Sequence, residues 1–224
     1  MVNSERVTDF STLLPDSDYE PKDSLIIAEP GCHLGWREEF HRFRGRSCFG
    51  RYEGIDPARR DAEGERDQFD LASTFLIGMQ KGVIRYGCRL INGEQATITL
   101  DPALVVPGRH FEISRFVMSR KIGDRATIER AIYTLCEEIA TYAFLERGYD
   151  HLYSNTSFQL HSYFARIFGK YLEPLGAGQV VNKHDHALVL VPSIVRRCNA
   201  EAILDCFREK LSYYRSTRSR VSMA

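Results

Sequence analysis

No charge of one sign dominates this chain: 30 lysines and arginines are matched by 30 aspartates and glutamates, a formal net charge of zero. General nucleic-acid binding draws on a basic surplus, so that class is not expected. No apolar run approaches the roughly 18 residues that a membrane-spanning helix needs. None of the six cysteines (Cys32, Cys48, Cys88, Cys136, Cys198, Cys206) stands in a Cys-x-x-Cys pair, and no signal-type apolar segment opens the sequence. The expectation is a cytoplasmic protein with free thiols. There is no fixed-period repeat, no low-complexity tract, and only one tryptophan, Trp36. What remains is ordinary for a globular domain with a full core: 224 residues, 43% hydrophobic and 27% charged.

Residues 1–23 are polar and read as a leader, 24–216 as one domain, and 217–224 as a basic tail. Ser24 to Glu29 suits a short strand. From His33 to Arg46 the spacing of Trp36, Phe40 and Phe43 predicts a helix whose other side, with Arg37, His41, Arg42, Arg44 and Arg46, reads as a solvated basic face. Two strands, 73–80 and 83–91, are joined by a tight turn at Lys81-Gly82, and 96–100 continues the sheet. A strand follows at Glu112-Ile113-Ser114-Arg115-Phe116, where period-two alternation puts Glu112, Ser114 and Phe116 opposite Ile113, Arg115 and Val117. Neither face is cleanly apolar, which fits an edge strand as well as a strand lining a cleft. Asp124 caps a long helix that Gly148 stops, 152–155 is a strand, 157–170 a second amphipathic helix, 187–191 an apolar strand and 200–214 a last helix. This order predicts a mixed α/β domain, antiparallel in its first half and with βαβ-like crossings in its second.

Charge concentrates at three separated places: Glu65, Asp67 and Asp70; Arg89; and Glu112 with Ser114 and Arg115. Carboxylates so grouped suit a cationic amine ligand, with arginines pairing the surplus acids or a ligand carboxylate. A salt-bridge network that closes a loop onto the sheet accounts for the same residues, and charge alone does not separate the two readings. His184-Asp185-His186 has metal-like spacing but no evident third ligand, so no metal is expected.

At these residues the chain resembles the acyl-homoserine-lactone synthases, the LuxI-type autoinducer synthases. The resemblance runs through Arg44 and Phe49, Glu65-Arg66-Asp67-Gln68-Phe69-Asp70, Gly87-Cys88-Arg89-Leu90 and Glu112-Ile113-Ser114-Arg115-Phe116, and covers roughly residues 36–180. Arg44 and Phe49 are five apart where the family has four, which brings Arg46 and Cys48 into consideration, and the family's tryptophan has no counterpart near residues 54–56, leaving Tyr52 or Trp36 to fill that space.

The resemblance implies an α/β (α+β) fold of the GNAT type, a three-layer αβα sandwich with a splayed, mixed, largely antiparallel twisted sheet. It also implies the reaction: an acyl group from acyl-carrier protein or acyl-CoA passes to the amine of S-adenosylmethionine, and lactonisation releases methylthioadenosine. Both substrates are transient, so no permanently bound cofactor is expected. Glu112 is then the candidate general base, with Ser114 and Arg115 beside it and nearby backbone N–H groups facing the developing oxyanion. Arg44, Phe49, Glu65, Asp67, Asp70 and Arg89 would hold S-adenosylmethionine, and Phe116, Val117, Met118, Asn155 and Thr156 the acyl chain and pantetheine. Arg120, Lys121 and Arg125 lead into a helix N-terminus, where they suit a pyrophosphate or an acidic carrier protein. Two alternatives stand beside this: a GNAT-like N-acyltransferase that acts on another amine without forming a lactone, and a non-catalytic relative that binds a thioester or adenosyl ligand.

Overall fold

The computed structural model describes residues 7–9, 24–47, 66–93, 102–119, 121–176, 178–183 and 186–221. Phe49, Glu65, Arg120, the 96–100 strand, the Tyr52 region and His184-Asp185 lie outside them. The chain divides into two compact units, the first from residues 1–91 and 115–123, the second from 92–114 and 124–224.

In the first unit, β1 (Val7–Asp9), β2 (Ser24–Ala28), β3 (Thr74–Gln80) and β4 (Val83–Asn92) pair antiparallel in sequence order. Part of the expected leader is therefore an edge strand, with Val7 opposite Ile26. Lys81 and Gly82, at φ of 52° and 70°, form the two-residue turn that matches the twist of β3 and β4. Helix α1 (Leu34–Arg46) contributes Phe40 and Phe43 to a core with Ile26, Ala28, Phe75, Ile77, Met79, Ile84 and Val117. A Cβ on Gly87 would lie 2.4 Å from the Leu76 carbonyl oxygen and 2.7 Å from the Phe40 ring. That close approach explains the glycine two residues before Arg89.

In the second unit, the first half of β5 (His110–Met118) pairs parallel with β6 (His151–Ser157), His110 opposite His151 and Glu112 opposite Tyr153. β6 pairs antiparallel with β9 (His186–Arg196), which also pairs with β7 (Glu173–Pro174) and β8 (Gln179–Lys183). The apolar strand expected at 187–191 is thus the start of a longer strand and half of a hairpin. The polar β8 went unread because Gln179, Asn182 and Lys183 dilute its alternation. Helix α2 (Arg125–Ala140) starts at Asp124, whose Oδ1 accepts the Thr127 N–H at 2.8 Å. A π-helical turn at 141–146 and Gly148 at φ 64° end it. Helix α3 (Phe158–Phe168) begins at its cap Ser157. Helix α4 (Ala200–Val221) packs Phe207 against Phe168, ring centroids 5.2 Å apart. It runs past Tyr214, where a basic tail was expected, because no glycine or proline stops it there.

Candidate functional site

Position four of a helical turn explains how α1 feeds the site. Arg37, His41 and Arg44 recur at spacings of four and three, which places them on one face together with Phe40. That face is inside: Arg37 is 6% exposed, His41 5% and Arg44 0%. The expectation of a solvated basic face is corrected here, and the expected apolar stripe narrows to Phe40 and Phe43, with Trp36 at the surface. Buried arginines require acceptors. For Arg44 the acceptor is Asp70, which opens the 3₁₀ turn Asp70–Ala72 leading into β3, and for Arg37 the acceptors are carbonyls of that turn and of the end of β2.

Asp70 is the hub. Its Oδ1 accepts from Arg44 Nη1 at 2.8 Å and from Arg89 Nη1 at 2.7 Å, and its Oδ2 accepts the Asp67 backbone N–H at 2.8 Å. His41 Nδ1 lies 3.7 Å from the same Oδ2 and edge-on to Phe75. Asp67 Oδ1 accepts from Arg89 Nη1 at 2.5 Å and from the Phe69 N–H at 3.0 Å, and its Oδ2 faces Arg115 Nη2 at 3.4 Å. Burial alone would raise the Asp70 carboxyl, but Arg44 and Arg89 outweigh it and hold the group below the ordinary carboxylate range. The same contest, settled by Arg89, leaves Asp67 depressed as well. Arg46, considered as an alternative to Arg44, is exposed, whereas Arg44 is buried and reaches Asp70.

Five of the residues singled out in the sequence therefore meet: Arg44, Asp67, Asp70, Arg89 and Arg115. Two that the sequence reading left as surface, Arg37 and His41, sit against the same cluster. The clue lay in the spacing from Arg37 through Phe40 and His41 to Arg44, which continues the apolar stripe rather than opposing it.

Arg115 reaches Asp67 from an unusual backbone. Its φ is +52°, left-handed, within a strand. A non-glycine residue there costs on the order of 1 kcal/mol or more, and such residues gather at functional sites. The kink also interrupts the two-faced alternation expected for the strand. Val117 enters the first unit's core, while Ser114, Phe116 and Met118 are half-buried. Glu112, expected on an edge strand or a cleft wall, is 2% exposed in the part of β5 that belongs to the second unit. In that unit Asn155 and Thr156 are half-buried at the end of β6. Lys121 is exposed in the first unit, and Arg125, on the first turn of α2, is exposed and paired to Glu129 Oε1 at 2.9 Å. Among the described residues, no group of three or more His, Cys, Asp or Glu side chains could hold a metal, and no helix is long and apolar enough to cross a membrane.

No protein-family model and no curated protein matches this sequence. Solved structures do. The acyl-homoserine-lactone synthase LasI superimposes with a TM-score of 0.60 at 16% identity, over 80% of this chain and 93% of LasI. BjaI, a CoA-dependent acyl-homoserine lactone synthase solved with SAM and isopentyl-CoA, gives 0.59 at 18% identity, over 78% of this chain and 83% of its own. FeeM, an N-acyl amino acid synthase from uncultured soil microbes, gives 0.59 at 14% identity, over 81% of this chain and 94% of its own. The expected α/β fold is the fold observed, and it is one that a GCN5-related N-acetyltransferase from Brucella melitensis shares.

Proposed function

We propose that this protein is an acyl-homoserine-lactone synthase of the LuxI type. It transfers an acyl group from acyl-carrier protein or acyl-CoA to the α-amine of S-adenosylmethionine, and lactonisation then releases methylthioadenosine, yielding a quorum-sensing signal. The observation that carries this reading is the convergence of Arg44, Asp67, Asp70, Arg89 and Arg115, drawn from four separated stretches, into one half-open ion-pair cluster.

The charge of that cluster suits the donor. Three arginines and two aspartates meet in it. Arg115, whose side chain is 21% exposed, is the arginine proposed to meet a ligand carboxylate such as the one on S-adenosylmethionine. Asp67, 25% exposed and held as a carboxylate by Arg89, is the acid proposed to meet the donor's ammonium or sulfonium charge beside its contact to Arg115. Asp70 is too deeply buried for that contact and fixes the arginines instead. Glu112 is the proposed general base that takes the proton from the amine as it attacks the thioester carbonyl. Ser114 and the backbone N–H groups of 114–116 are the proposed oxyanion contacts. Phe116, Met118, Asn155 and Thr156 are proposed to line the acyl and pantetheine path, and Lys121 and Arg125 to meet the carrier's phosphates or acidic surface. Phe49, Glu65 and Arg120 belong to the same proposal through the resemblance alone. The reaction takes place in the cytoplasm, where both substrates are made.

The likeness to FeeM favours a second reading, acylation of an amino acid with no lactone formed. One experiment separates them: incubation with S-adenosylmethionine, free amino acids and a panel of acyl-CoAs and acyl-carrier proteins, read by mass spectrometry. Methylthioadenosine with an acyl lactone supports the synthase. An acylated amine without methylthioadenosine replaces it with the second reading, and donor binding without turnover points to a non-catalytic relative.

A further inference from the structure

Arg37 has the geometry of a clamp. Its Nη1 donates to the carbonyl oxygens of Ala28 at 3.0 Å, Glu29 at 3.2 Å and Ser73 at 2.8 Å, and its Nη2 donates to the carbonyl oxygen of Asp70. These acceptors belong to two segments far apart in sequence: the end of β2, and the turn that carries the acidic residues into β3. The guanidinium carbon also stacks 4.5 Å over the Phe75 ring, and the residue is 6% exposed. Within the turn, the Asp70 N–H bonds the Asp67 carbonyl at 3.2 Å, the Phe69 N–H bonds the Asp67 side chain, and the Ser73 hydroxyl bonds the Phe69 carbonyl at 2.7 Å. Those bonds shape the turn but do not attach it to anything else. Attachment through main-chain carbonyls comes from Arg37.

We propose that Arg37 is a positioning residue for the cluster: by tying the 67–73 turn to α1 and to the end of β2, it sets where Asp67 and Asp70 stand relative to Arg44 and Arg89. This rests on reading that cluster as the donor site. Two terminal nitrogens held in one plane share the four carbonyls, Nη1 taking three and Nη2 the fourth, whereas a lysine ammonium has a single nitrogen with three N–H donors on a more flexible stem. Burial pulls Arg37 below its ordinary pKa, and the Asp70 charge offsets part of that pull.

The test compares the parent with Arg37→Lys and Arg37→Gln in two measurements. In amide hydrogen exchange, the Asp67, Phe69 and Asp70 amides should exchange about tenfold faster or more in both variants, while Leu76 and Cys88 in β3 and β4 change far less. In titration and kinetics with S-adenosylmethionine, donor affinity should weaken and KM for the donor rise about tenfold. The kcat at saturating donor should change much less, a split that simple loss of stability does not produce. A variant that melts earlier yet keeps the parent's exchange at the turn and its donor affinity overturns the proposal. If the parent itself binds no S-adenosylmethionine, the donor reading fails, and the exchange measurement still decides whether Arg37 fixes the turn. If neither variant folds, the parent decides: the Arg37 Nη protons should exchange more slowly than those of exposed Arg46, and equal rates overturn the proposal.

Discussion

Replacing Asp70 and Asp67 one at a time by asparagine separates what the cluster does for the fold from what it does for the ligand. Asp70 is 5% exposed, and its Oδ1 takes bonds from Arg44 and Arg89, which are themselves 0% and 2% exposed. Asp70→Asn keeps the shape and removes the charge that both buried guanidiniums face. Breaking a buried pair from one side costs about 3–5 kcal/mol, because the remaining charge is left in low dielectric. For a chain of this size each kcal/mol is worth roughly 2–4 °C, so melting should fall by roughly 6–20 °C. Asp67 is a quarter exposed, and Arg89 keeps Asp70 when it is lost, so Asp67→Asn should cost about 1 kcal/mol and a few degrees. Its larger effect should be on S-adenosylmethionine, whose affinity loses one charge-assisted contact, about 1.5–3 kcal/mol or roughly 10- to 150-fold. Scanning calorimetry and isothermal titration on the same preparations give both quantities. An Asp70→Asn protein melting within about 2 °C of the parent refutes the buried network. An Asp67→Asn protein that melts early but binds the donor normally refutes the site.

Glu112→Gln should lower acyl transfer by about 10²-fold or more while donor binding changes little, and near-normal turnover removes Glu112 from the mechanism. Gly87→Ala places a methyl group against the Leu76 carbonyl and the Phe40 ring, so unfolding titrations should show about 1–3 kcal/mol lost. Asp67 and Asp70 carry carboxyls depressed by folding, so their stabilisation is complete above the unfolded carboxylate value near pH 4 and disappears as pH falls through the lower folded values. Melting temperature should therefore drop below about pH 4, and that acid limb should be shallower in Asp70→Asn.

Much of this was legible because local rules and tertiary demand agree. Lys81-Gly82 announced its hairpin, Asp124 and Ser157 their helices, and the acids and arginines at 67, 70, 89 and 115 their meeting. The α1 face failed for a definite reason: arginine and histidine read as solvent-facing unless their acceptors are known, and those acceptors lie at the end of β2 and on the distant turn that carries Asp70. Arg115 failed differently. Alternation assumes extended backbone throughout, and nothing in Ile113-Ser114-Arg115-Phe116 marks a left-handed residue. The extension of α4 past Tyr214 followed from what the sequence omits there, a stop signal, rather than from any periodic stripe.

Arg44 has no exposure at all, and this carries a kinetic consequence. The β3–β4 hairpin closes through a two-residue turn and can form early with Arg89 in place, since its contacts are local. Helix α1 cannot seat in the same way: docking Phe40 and Phe43 drags Arg44 out of water, and that step is uphill until Asp70 arrives to receive it. Desolvation of the helix and closure of the acidic turn are thereby coupled into one barrier. Cations presented without the turn would meet a collapsed chain as repulsion rather than as a template. On this account Asp70→Asn slows folding more than it hastens unfolding, and the chain commits to its first core only when its charges have already found each other.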